Sequence, residues 1–348
     1  MVHHGAGLMA IALLAATVTA MGAVPIEEFA SHSGRGLMWD DGKEEVFYGH
    51  LGPGEAALRL SRGAKSRYEK ALSGMHADGV GMTRLFVLYD MRNMEVAKAL
   101  PPEFYEDLDC ALRTADEHDV NLVITLYDFY LARQHPEVFH DPTRQKAVVA
   151  RAVEVAEYLN HHPSRKRVVM IDITNEPDSS SWITHGAVGM EDWRPVLAAL
   201  LAGLRRATSI PLTIGFNARA ESLGYANLLT DKDFLCWHYY HDKPAVFDIS
   251  VRELRKQHPE MGTKQVLLEE YGALDARDQE QALTQAHRLG YCGILFWKGI
   301  WKDGIIVIFS SANYRRWLKE QGVEVGPVGR GGRRVGRPRD GAPTGTTG

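Results

Sequence analysis

Short apolar runs alternate with amphipathic stretches along most of the chain. The runs at 46–50, 83–88, 121–127, 167–174, 211–216, 233–240, 265–270 and 292–297 read as buried strands. Between most of them the apolar residues recur at three-to-four spacing. In 101–117 they are Phe104, Leu108, Leu112 and Ala115, and 143–159 and 192–207 repeat the pattern. The segment 218–229 carries a weaker version. Strand–helix alternation predicts a parallel sheet with right-handed crossovers. Eight such units predict an α/β fold, a closed (β/α)8 TIM barrel, with an open doubly wound sheet as the alternative. There is no internal repeat beyond this alternation.

Composition narrows the picture. A chain of 348 residues with 45% apolar residues and seven Trp could be one large domain or two ordinary ones with a sizeable core, and a barrel of about 250 residues fits as one. The net charge is −4, but residues 326–348 hold five Arg and one Asp, a net +4 that leaves the rest at −8. That balance argues against nucleic acid as the main ligand. Cys110, Cys236 and Cys292 are odd in number and lack metal-site spacing, so they read as small buried hydrophobes. An apolar, Ala-rich segment at 8–21 precedes small-residue cleavage candidates at Val18-Thr19-Ala20 and Met21-Gly22-Ala23. The segment predicts a secretory signal peptide over 1–23 and an exported protein, with an uncleaved membrane anchor as the alternative. The barrel domain is then expected over 24–325. The Gly/Arg/Pro-rich stretch 326–348 reads as a disordered basic tail.

The chemistry gathers at the strand ends, where a parallel barrel builds its site. The fourth run closes in Asn175-Glu176-Pro177 and the seventh in Glu269-Glu270-Tyr271-Gly272. Asp128 follows the third run, His238 and Tyr240 end the sixth and Trp297 the eighth. Arg84 is the exception, near the start of the second run. Two carboxyls facing each other across a cleft can cleave a glycosidic bond, one donating a proton and the other attacking or activating water. Glu269 and Glu270 are adjacent, so strand alternation allows only one to face the cleft; Glu270, directly before Tyr-Gly, is the expected one.

Asn175-Glu176-Pro177, His238-Tyr239-Tyr240, Glu270-Tyr271-Gly272 and Trp297, in that order, resemble clan A retaining glycoside hydrolases, above all glycoside hydrolase family 5, the cellulase and mannanase family. The resemblance spans about residues 36–318. It implies Glu176 as general acid/base and Glu270 as nucleophile. Arg84 and Tyr240 would hold Glu270 ionised, Asn175 would bind the sugar 2-hydroxyl, His238 would be a further substrate-binding residue and Trp297 would form an aromatic floor. Tyr127, Tyr130, Trp182 and Trp237 could line further subsites. It implies a β-mannan or β-glucan substrate, with no cofactor, no metal and no obligate protein partner. Asp128 stands where many relatives carry a His, Glu269 stands where a small residue is commoner, and the fifth strand offers no obvious functional residue. Two other readings remain open. One is a non-catalytic carbohydrate binder on the same barrel. The other is a metal-dependent barrel enzyme using Asp172, Glu176 and Glu270.

Overall fold

The computed structural model describes residues 24–35, 64–88, 99–217, 220–240, 248–272, 276–296, 299–301, 304–306 and 311–323. Eight parallel strands close in chain order: β1 (Gly34–Arg35), β2 (Met82–Phe86), β3 (Asn121–Asp128), β4 (Val168–Asn175), β5 (Leu212–Asn217), β6 (Phe234–Tyr240), β7 (Gln265–Gly272) and β8 (Gly293–Phe296). The fold is therefore the closed (β/α)8 barrel rather than the open sheet. A hairpin of β9 (Gly299–Trp301) and β10 (Gly304–Ile306) follows β8.

Seven strands match the apolar runs. The first does not: the run at 46–50 lies outside the described residues, and the barrel closes instead through Gly34–Arg35. Gly34 pairs with Met82 on one side and Leu295 on the other. A two-residue strand carries no apolar run, so periodicity misses it. Close backbone approach marks the place, since a Cβ on Gly34 would stand 2.0 Å from the Met82 carbonyl oxygen.

The helices Pro102–Glu117, Pro142–His161 and Met190–Ala207 fall within a few residues of their expected positions. Pro142–His161 begins at Asp141, whose side chain accepts from the Thr143 amide at 2.8 Å. The weaker segment after β5 is a 3-10 turn, Ala220–Leu228. Among the described residues, no helix is long and apolar enough to cross a membrane. The expected leader at 1–23 and the tail at 326–348 lie outside the described residues. None of the three cysteines forms a disulfide; Cys236 and Cys292 are buried and Cys110 is half-buried.

One core layer lies between strands and helices. A second fills the barrel, with Met82, Val123, Met170, Cys236, Leu267 and Leu295 at its floor. Two residues further along their strands, the interior turns polar: Arg84, Thr125, Asp172, His238 and Glu269, every one fully buried. The step of two is the pleat period. It stacks a charged layer directly on an apolar one.

Candidate active site

Two bulges aim the site. On β4, Asp172 pairs with Thr213 and Asn175 with Gly215, so three residues on β4 span two on β5. On β7, Leu268 pairs with Trp237 and Glu270 with His238, which leaves Glu269 as the extra residue. Bulges bend a strand and redirect its side chains. The expectation that only one of Glu269 and Glu270 could face the interior therefore fails. Glu269 follows the alternation inward from Leu267, and the bulge turns Glu270 inward as well. Both reach the same guanidinium, Glu269 Oε1 at 3.3 Å from Arg84 Nε and Glu270 Oε1 at 2.5 Å from Nη1.

Arg84 is the hub. It sits at the middle of β2 rather than near its start, and its long side chain reaches acids on β4 and β7. Nε donates to Thr125 Oγ1 at 2.7 Å, and Nη2 donates to Asp172 Oδ2 at 2.5 Å and to Asn175 Oδ1 at 3.0 Å. The expected partner Glu270 and the barrel carboxylate Asp172 are thus engaged at once. The planar fork of Arg allows this, where the single ammonium of Lys would not. Tyr240 donates its hydroxyl to Glu270 Oε2 at 2.5 Å, so both oxygens of that carboxylate accept strong bonds.

Glu176 sits just past β4 with φ 43° and ψ 52°, a left-handed conformation uncommon for a side-chain-bearing residue. Its amide bonds the Gly215 carbonyl at 2.7 Å, and Pro177 opens the turn Pro177–Ser179 behind it. Its carboxyl lies 3.0 Å from His238 Nδ1 through Oε1 and accepts from Ser179 Oγ at 3.1 Å through Oε2. Ser179 accepts in turn from Asn217 Nδ2 at 2.9 Å. Glu176, His238 and Glu270 each place a polar atom within 4.8 Å of the other two. Residues 94 positions apart in sequence thus bring two carboxyls together at the barrel mouth.

Burial and the neighbouring charges together set the protonation of the cluster. For His238, burial alone would favour the neutral ring. The charge of Glu270 and the bonds to Glu176 and Glu269 outweigh it and push the imidazole up to about 10. Burial lifts Asp128 well above the usual carboxylate range, against the bonds from the Tyr130 amide and Asn175 Nδ2. Burial also raises Asp178 to about 6, with Ser222 opposing. Glu269 is raised by burial, with Arg84 holding it back.

Six of the seven expected site residues, Arg84, Asn175, Glu176, His238, Tyr240 and Glu270, meet in this one network; Trp297 lies outside the described residues. The fifth strand contributes what its sequence hides. A Cβ on Gly215 would stand 2.8 Å from Glu269 Oε2 and 2.9 Å from His238 Nε2, so the missing side chain is itself the contribution. Asn217, on the same strand, steadies Ser179. Asp128 takes the other end of the Asn175 amide at 2.8 Å. Two expected subsite aromatics belong to the core instead. Tyr127 is buried with its hydroxyl on the Val148 carbonyl, and Trp237 is buried near Phe216, because both face outward from the barrel toward the helices. Tyr130 is half-buried and stacked on Phe129, whereas Trp182, in the short helix Ser180–Ile183, is largely exposed.

No family model matches the chain, and no curated protein matches it in sequence. Solved structures do match it in shape. The endo-1,4-β-mannanase of Eisenia fetida aligns with TM-score 0.60 at 15% identity, over 82% of this chain and 90% of that one. The β-1,4-D-mannanase of Cryptopygus antarcticus aligns with TM-score 0.58 at 17% identity, over 82% and 89%. The β-mannanase of the blue mussel Mytilus edulis aligns with TM-score 0.56 at 14% identity, over 86% and 94%. The chain has the barrel fold of these mannanases across nearly their whole length.

Proposed function

We propose that this protein is a retaining β-glycoside hydrolase that cleaves a β-linked polysaccharide, a β-mannan in the first place and a β-glucan in the second. The observation that carries the reading is the pair of carboxyls, Glu176 and Glu270, whose polar atoms approach within 4.8 Å. Retaining enzymes hold the two at about 5–5.5 Å, whereas inverting ones leave about 6.5–9.5 Å for a water. Glu270, held by Arg84 and Tyr240, attacks the anomeric carbon. Glu176 gives its proton to the departing glycosidic oxygen. Water then cleaves the glycosyl ester while Glu176 takes back a proton. Asn175, braced between Arg84 and Asp128, is placed to bond the 2-hydroxyl. The mannanase folds above favour mannan. A polymer substrate outside the cell also fits the leader expected at the N-terminus.

The test is hydrolysis of soluble β-mannans, β-glucans and aryl β-glycosides by the wild type and by Glu176→Gln and Glu270→Gln. The expected result is turnover of one polymer with the product anomer retained. Each variant should lower kcat by about 10²–10⁴-fold or more with an unchanged circular dichroism spectrum. Binding without turnover across the whole panel would instead support a carbohydrate-binding protein.

A further inference from the structure

Glu269 has no part in the two-carboxylate chemistry, yet it is fully buried inside the site. Its Oε2 lies 3.2 Å from His238 Nε2, on the opposite side of the ring from Glu176, which lies 3.0 Å from Nδ1. Each ring nitrogen therefore faces a carboxyl, with Arg84 Nη1 also 3.4 Å from Nε2 and Glu270 Oε2 3.7 Å from Nδ1. A ring nitrogen facing a carboxylate holds a proton, and a nitrogen without one accepts from a carboxyl O–H. Arg84 Nη1 gives its short bond to Glu270 Oε1 at 2.5 Å and Glu269 Oε2 is the nearer atom to Nε2, so the carboxylate keeps the proton there and Nδ1 is left to share a second proton with Glu176. The same logic lets a buried carboxylate fix the tautomer of a catalytic histidine elsewhere.

We propose that Glu269 is a positioning residue that acts through His238 to keep a shared proton on the His238–Glu176 couple. The proposal rests on the reading of Glu176 as the acid/base. Nε2–H stays on the ring throughout. When Glu176 protonates the leaving oxygen, its O–H bond breaks and one forms on the departing alcohol. The couple is then one proton short, and Nδ1 presents a lone pair to a carboxylate. That mismatch draws a proton back from the attacking water through Glu176. The other charged and titratable groups around the couple are Arg84 from β2, Asp128 from β3, Asp172 from β4, Asp178 from the turn after it, Cys236 and Tyr240 from β6, and Glu270 from β7. Glu269 and Glu270 are the acidic groups that face His238 from β7.

The sign follows from charge. An anionic Glu269 favours the protonated couple, so its neutral isostere releases the proton at lower pH. In Glu269→Gln, the alkaline limb of kcat/KM is expected to move about 1–3 pH units toward acid. The His238 imidazole followed by 15N NMR should titrate lower by a similar amount in the same variant. An unmoved limb together with an unmoved His238 titration would reduce Glu269 to packing and overturn the proposal. Should the variant fail to fold, the wild type decides the matter. Its 15N shifts should show Nε2 protonated across the titration, and a ring protonated only at Nδ1 when neutral overturns the proposal. A wild type that hydrolyses no glycan would refute the proposed function but leave the NMR test of His238 in force.

Discussion

Gly215 sets how closely the charged side chains of the barrel can crowd. Its Cα faces Glu269, His238 and Arg84, and a Cβ there would stand within 3.2 Å of all three. None can retreat, because each is held by the others. Gly215→Ala is therefore expected to destabilise the fold by about 1–3 kcal/mol and to depress kcat together with stability. Thermal melting and steady-state rates on the same preparation would check it; an alanine variant of wild-type stability would mean that the network has slack. Glu269 and Asp128 teach a related lesson. Each is conspicuous in sequence only as an acidic residue in an apolar setting. Glu269 was expected to point away from the cleft, since alternation is a rule for regular strands and the bulge in β7 is not regular.

The bulges in β4 and β7 place the residues of the site, and a helix braces one of them. Met190–Ala207 buries Trp193 completely, and its indole N–H donates to Ser180 Oγ at 2.7 Å. Ser180 directly follows the turn Pro177–Ser179, which carries Ser179 against Glu176. The brace therefore runs from the outer helix layer to the acid/base. Trp193→Phe keeps most of the apolar volume and removes the donor. The expected cost is about 1–3 kcal/mol of stability from the unpaired buried hydroxyl and the lost packing. A fall in kcat is expected alongside it as the turn loosens. Denaturant unfolding and kcat measured together would test the link, and lost stability at full kcat would break it. The bounds of this helix are nearly legible in its apolar spacing, but its attachment to the site is not, because a hydrogen bond across 13 positions leaves no periodic trace.

At the scale of the whole molecule, closure of the ring brings buried acids from β3, β4 and β7 around one guanidinium and one imidazole. The same arrangement bears on the metal-dependent reading. Arg84 Nη1 lies 2.5 Å from Glu270 Oε1, and Arg84 Nη2 lies 2.5 Å from Asp172. A fixed positive charge already occupies the place where a cation would bind those oxygens. Hydrolysis is thus expected to be unchanged after prolonged dialysis against a chelator. Loss of activity restored by one divalent ion would revive the metal reading.

By itself, the sequence determined the βα alternation, seven of the eight strands, the three long helices and the strand-end position of Asn175-Glu176-Pro177. These are readable because hydrophobic period and turn chemistry act over a few residues. Only the tertiary structure decided that Gly34–Arg35 closes the barrel, that Glu269 and Glu270 both turn inward, and that Tyr127 and Trp237 belong to the core. It alone set Glu176 and Glu270 within 4.8 Å and put a carboxyl at each nitrogen of His238. The physical reason is distance along the chain. Contacts between strands far apart in sequence exist only once the ring has closed, and the register shifts that aim these side chains are settled by pairing with neighbouring strands.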